Sequence, residues 1–130
     1  MNNKQEPTLK WSSNDISRFL LVYRKYESLW DTANENFMRK NARQNNMTNL
    51  RMELNDIGFQ ISNDELLKKK IKNIKDAYRH EANKVKKSMK SGAGAEDIYK
   101  PKLNWFHEAD AFLRNVMTGR ESSSNLNRIA

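Results

Sequence analysis

Residues 66–90 read LLKKKIKNIKDAYRHEANKVKKSMK. Leu67, Ile71, Ile74, Tyr78, Ala82, Val85 and Met89 recur along it at steps of three and four. That spacing predicts one long α-helix with a single apolar face. The rest of the stretch is polar and mostly Lys. From Lys68 to Lys90 there are ten Lys and Arg against two acids, Asp76 and Glu81, a balance of +8. The whole 130-residue chain also carries +8, so the remainder sums to zero. One face of this helix needs neighbours to bury it; the other needs water or an anion.

Working outward, the neighbours are predicted as three further helices. Before the basic helix, Ser62 followed three residues later by Glu65 reads as a capping box. Upstream, about Asn41 to Ile57 forms a helix with Met47, Leu50, Leu54 and Ile57 inward. Gly58 suits a left-handed position just past its end. Asn45, Asn46, Asn49 and Asn55 are weak helix formers, so this helix must be held by packing. Asp31 to Asn36 reads as a connector, with Phe37 and Met38 tucked beneath it. Ser12 and Asp15 form another capping box, opening a first helix with Ile16, Phe19, Leu20, Tyr23 and Tyr26 on one face. Leu29 and Trp30 close it against the core. Downstream, Ser91-Gly92-Ala93-Gly94 stops the basic helix. Pro101 suits a helix N1 position, opening a last helix from about Lys102 to Met117 with Leu103, Phe106, Ala109, Leu113 and Val116 inward. Gly119 ends it. The expected division is a flexible tail over 1–11, a domain over 12–118 and a flexible tail over 119–130. No internal repeat and no strand-like alternation is present.

Composition narrows the function classes. Mean hydropathy is −0.98 and cysteine is absent, which leaves no disulfide framework and no Cys-based zinc site. No apolar run reaches membrane-spanning length, and MNNKQEPTLK lacks the apolar core of a secretory signal. The pI near 9.8 favours an anionic partner. No nucleophile elbow, phosphate loop, carboxylate dyad or His/carboxylate cluster with metal-ligand spacing is visible, so the chain reads as a non-enzyme without metal or cofactor. Asp110, three residues after His107, reads as a helix pair, and His80 faces outward.

At 100° per residue, Lys69, Lys72, Arg79, Lys86 and Lys90 fall on one outward stripe of the basic helix, with Lys68 and Lys75 at its edge. Lys70, Lys84 and Lys87 flank the core from the other side. Such a helix can lie along double-stranded DNA with its cations on phosphates. The alternative is a solvated charged face. The run Lys68-Lys69-Lys70-Ile71-Lys72 also fits a nuclear localisation signal. A membrane-surface or calmodulin-binding helix would need the apolar face that the other helices cover. Trp30 and Trp105 read as core or core edge. Trp11 lies before the first cap and either docks back or stays exposed for a partner. Met38, Met47, Met89 and Met117 sit at core spacings.

The segment from Phe19-Leu20-Leu21-Val22-Tyr23 through Leu29-Trp30-Asp31 resembles the first helix of the MADF domain, a Myb/SANT-like member of the helix-turn-helix group. Ile71-Lys72-Asn73-Ile74-Lys75-Asp76-Ala77-Tyr78 is similar to that family's third-helix signature, commonly Trp-Lys-Asn-Leu-Arg-Asp-x-Tyr. Ser91-Gly92-Ala93-Gly94, Tyr99-Lys100-Pro101-Lys102-Leu103-Asn104-Trp105-Phe106 and Phe112-Leu113 resemble its glycine loop and closing helix. The resemblance spans about Ile16 to Val116. It departs at Met47 and Ile71, where the family usually has Trp, and at Lys75, where it has Arg. Lys lacks the planar fork of Arg, which weakens a base-reading role at 75. A BESS interaction motif, common in the family toward the C-terminus, has no counterpart here.

The resemblance implies an all-α fold: a three-helix Myb/SANT-like helix-turn-helix bundle with an additional C-terminal helix. It implies a nuclear DNA-binding domain of a transcription or chromatin regulator, its third helix (about 63–90) in the major groove. The nucleic-acid-binding residues expected are Lys68, Lys69, Lys72, Asn73, Lys75, Arg79 and Lys86. Asn73 is the base-reading candidate, since Asn pairs bidentately with adenine. The alternative is a Myb/SANT-like protein–protein interaction module that contacts chromatin or transcription proteins and binds DNA only weakly.

Overall fold

The computed structural model describes residues 9–90 and 98–118, with side chains to Val116. All of the regular structure among them is helical, as expected. It comprises α1 (Ser13–Tyr23), a 3-10 turn (Glu27–Leu29), α2 (Lys40–Asp56), α3 (Asp64–Lys90), α4 (Phe106–Leu113) and a π-helical turn (Arg114–Thr118). The chain divides into two compact units, Met1–Ile74 and Lys75–Ala130.

In the first unit, α1 opens on the expected capping box. Ser12 Oγ accepts from the Asp15 amide and Asp15 Oδ2 accepts from the Ser12 amide, both at 3.1 Å. The helix buries Phe19, Leu20, Val22 and Tyr23. It ends before Tyr26, which does not join the inward face. Instead Lys25 and Tyr26 both reach Glu53 of α2, with the Tyr26 hydroxyl donating at 2.7 Å. Burial and this carboxylate push the Tyr26 pKa up to about 12. Leu29 is buried and Trp30 half-buried, its indole N–H donating to the Arg24 carbonyl.

The connector is built from Asx turns, the Asp31 and Asn34 side chains each accepting the amide two residues on at 2.9 Å. These local turns satisfy the chain without sinking it, so Phe37 is half-buried and Met38 is 82% exposed, not tucked beneath. Leu50 and Leu54 of α2 are fully buried and Met47 half-buried. Ile57 is instead 43% exposed, because α2 stops at Asp56 and Gly58 turns the chain at φ +110°. Phe59 and Ile61 fill the core in its place. Asn55 holds this return by exchanging side-chain bonds with the Ile61 amide and carbonyl.

The start of α3 lies one residue later than the predicted Ser62 cap. Asn63 Oδ1 accepts the Leu66 amide at 2.9 Å, the N-cap geometry. Asp64 is then free to bind α2, accepting from Thr48 at 2.7 Å and Arg51 at 2.6 Å. Leu67, Ile71 and Ile74 are buried as the periodicity requires. Trp11 docks back: its ring lies 5.3 Å from Phe19 and 5.0 Å from Phe59, centroid to centroid.

In the second unit, Tyr78 and Ala82 of α3 are buried with Trp105, Phe106, Ala109, Phe112 and Leu113. Tyr78 stacks on Phe106 at 5.2 Å and its hydroxyl donates to Asp110 at 2.6 Å. Val85 is half-buried and Met89 is 57% exposed, so the apolar stripe outruns the core. The last helix starts at Phe106, not near Lys102, and Pro101 is not at its N1 position. The Lys102 amide is spent on Glu81 Oε1 at 3.1 Å, and Tyr99 donates its amide to Ser88 Oγ and its hydroxyl to Glu81. Residues 99–102 are thereby tied to α3, outside the helix. Regular α geometry ends at Leu113 and widens into the π turn. Leu103 and Val116 are half-buried. The expected tail residues 1–8 and 119–130, the glycine stop at 91–94 and the Met117 side chain lie outside the described residues.

Candidate nucleic-acid interface

The seven residues singled out for nucleic acid all stand on α3, an uninterrupted helix of 27 residues. In the first unit, Lys68, Lys72 and Asn73 are exposed and Lys69 is half-buried. At 100° per residue Lys69, Lys72 and Asn73 lie on the side away from Leu67, Ile71 and Ile74, with Lys68 at its edge. Lys68 lies 3.5 Å from Glu65, both side chains well exposed. In the second unit, Arg79 and Lys86 are exposed and Lys75 is half-buried. Arg79 donates to Asp76 at 3.2 Å, again at the surface. His80 is exposed on the same half.

Two cations of the run point elsewhere. Lys70 stands three residues after Leu67 and four before Ile74, so it leans toward the buried face. Its Nζ donates to the Leu9 carbonyl at 3.1 Å and sits 5.5 Å over the Trp11 ring, and this burial pulls its pKa down. Lys84 lies 3.6 Å from Glu81 and 5.2 Å over the Tyr99 ring. Glu81, counted in the sequence as one of two acids offsetting a basic helix, is buried. The Tyr99 hydroxyl, against the opposing pull of burial, and then the Lys102 amide and Lys84 hold its carboxyl below the usual range. Its position between Tyr78 and Ala82 was the available signal that it faces inward.

Among the described residues no group of three His, Cys, Asp or Glu could hold a metal, and no helix is long and apolar enough to cross a membrane. Asp110 serves Tyr78 and Arg114, while the His107 ring meets the edge of Phe106.

Helices alone, with a cationic third helix following two shorter ones, are consistent with the Myb/SANT-like class of all-α domain. The model of the MADF DNA-binding family, described as "Alcohol dehydrogenase transcription factor Myb/SANT-like", matches residues 19–113, and the chain belongs to that family. The match opens on Phe19 and closes on Leu113, both fully buried. Comparison with curated proteins and with solved structures gave no match.

Proposed function

We propose that residues 12–118 form the DNA-binding domain of a nuclear transcription or chromatin regulator, docking α3 in the major groove of double-stranded DNA. One observation carries this reading: Lys72 and Asn73 project to solvent from α3 away from its buried residues, with Lys68 exposed at the edge of that side. In helix-turn-helix proteins that end of the recognition helix meets base edges. Lys68, Lys69 and Lys72 hold phosphates there, and Asn73 reads adenine. Lys75, Arg79 and Lys86 hold phosphates further along. The domain performs no catalysis of its own. The test is Lys69→Glu with Lys72→Glu, measured on duplexes selected from a random pool at physiological salt. The expected result is loss of binding with helicity and melting retained; wild-type-like affinity overturns the reading.

A protein-interaction module is the second reading, and the exposed Met38 favours it. Trp11 no longer does, since its ring is spent on Phe19 and Phe59.

A further inference from the structure

The surface where the connector meets α2 has chemistry that, Lys68 aside, the DNA reading does not use. Leu29, Met38 and Met47 line a groove of about 370 Å³ together with Lys40, Arg43, Gln44 and Lys68. Its lining holds three cations and no acid. Met38 is 82% exposed, the most exposed of the large apolar side chains among the described residues. Arg43 is held over the Phe37 ring, 5.1 Å from its centroid, so this charge is anchored.

A duplex backbone would use the cations but gains nothing from an apolar lining. A purely apolar partner would gain nothing from three cations. A ligand that answers both carries one or two apolar side chains between carboxylates. The volume is at the small end of ligand sites, enough for side chains of one helical turn. Met is the side chain that best reshapes itself around such an anchor, and a charged lining raises the rate and selectivity of encounter.

We propose that this groove docks a short acidic amphipathic helix of a partner protein, apolar residues seated on Met38 and Met47 and carboxylates on Lys40, Arg43 and Lys68. The proposal stands apart from DNA binding, which lies along the outward stripe of α3, although Lys68 borders both.

The probe is a synthetic acidic peptide of about 15 residues with Leu at i, i+3, i+4 and i+7. Its control carries Ser at those positions and the same charge. Both are titrated by fluorescence anisotropy against the full chain, alongside a duplex, with the Met methyl resonances followed by NMR. The Leu peptide is expected to bind at least about tenfold tighter than the Ser peptide and to move the Met38 and Met47 methyls. Met38→Asp and Arg43→Glu, both at exposed positions, are each expected to weaken it about tenfold. Met38→Asp leaves duplex affinity unchanged, which separates this result from that of Lys69→Glu/Lys72→Glu. Equal affinity for the two peptides, or unchanged Leu-peptide binding by Met38→Asp, overturns the proposal. So does an Arg43→Glu variant that loses duplex but not peptide affinity, since the groove would then belong to the nucleic-acid face.

Discussion

Lys72 and Lys70 lie two residues apart on α3 and carry the same formal charge, yet they point to different faces. Lys72 is exposed, whereas Lys70 is tied to the Leu9 carbonyl over Trp11. Neutralising each in turn, as Lys72→Gln and Lys70→Gln, therefore tests the docking face itself. If Lys68, Lys69, Lys72, Lys75, Arg79 and Lys86 each meet a phosphate, log affinity falls against log salt with a slope of about −5. A fourfold rise in salt then costs roughly a thousandfold in affinity. Lys72→Gln removes one contact, so its slope is shallower by about 0.9. As a surface change it alters stability by no more than about 0.5 kcal/mol. Lys70→Gln is expected to do the reverse: slope unchanged, stability lower by about 1 kcal/mol through the lost charged hydrogen bond and ring contact. The assay is equilibrium anisotropy of a labelled duplex across a salt series, with thermal melting of each variant. Equal slopes for Lys72→Gln and wild type, or a slope reduced as much by Lys70→Gln, would refute the assignment of the outward stripe.

Other consequences concern the fold that presents the stripe. Leu54 is fully buried, so Leu54→Ala should cost about 2–5 kcal/mol, read as a shifted denaturant midpoint; a loss under about 1 kcal/mol would contradict its place in the core. Gly58 sits at φ +110° with only Arg18 Nη2 near its missing Cβ, at 3.9 Å; Gly58→Ala should destabilise by about 1–2 kcal/mol from backbone strain, and an unchanged melting temperature would show the turn can relax. Glu81 has its pKa lowered by the Tyr99 hydroxyl and the Lys102 amide. It therefore adds stability that is complete above the ordinary glutamate range and is lost as pH falls through the lower folded-state value. Wild type should thus exceed Glu81→Gln in stability near neutrality, the gap closing below about pH 4; a gap independent of pH would remove the carboxylate from this role.

The period of α3 was legible because its buried residues recur without interruption from Leu67 to Ala82, and the Ser12 cap and Gly58 turn because each depends on local chemistry. What the sequence hid depends on partners distant along the chain. Pro101 is a good helix opener in isolation, but Tyr99 and Lys102 are bound to Glu81 on α3 and the helix begins only at Phe106. Ser62 and Asn63 are both sound caps; the choice falls to Asn63, with Asp64 bound by Thr48 and Arg51 of α2. Met38 and Met89 fit helical spacing but are 82% and 57% exposed, so spacing alone overstated the core. The candidate interface was legible as a stripe, since exposure on a helix opposite its apolar face follows from geometry. The cation-lined groove was not, because Lys40 and Arg43 join Lys68 only through folding.

The sum of +8 from Lys68 to Lys90 treats its ten cations as equal, and the fold does not. Lys70 and Lys84 are engaged by groups that belong to the core edge, Leu9 and Trp11 for one and Glu81 and Tyr99 for the other. Releasing them costs packing as well as charge. The pairs Lys68–Glu65 and Arg79–Asp76 are different. All four side chains are at least 44% exposed, and the partners are three residues apart on one helix. Such pairs are worth about 0–1 kcal/mol and weaken in salt. A phosphate, offering a charge-assisted contact, displaces them at little cost. These two surface pairs would therefore oppose a docking phosphate only weakly. The buried acid, Glu81, is the one whose charge the fold cannot lend out, and it holds residues 99–102 against the helix that the stripe is built on.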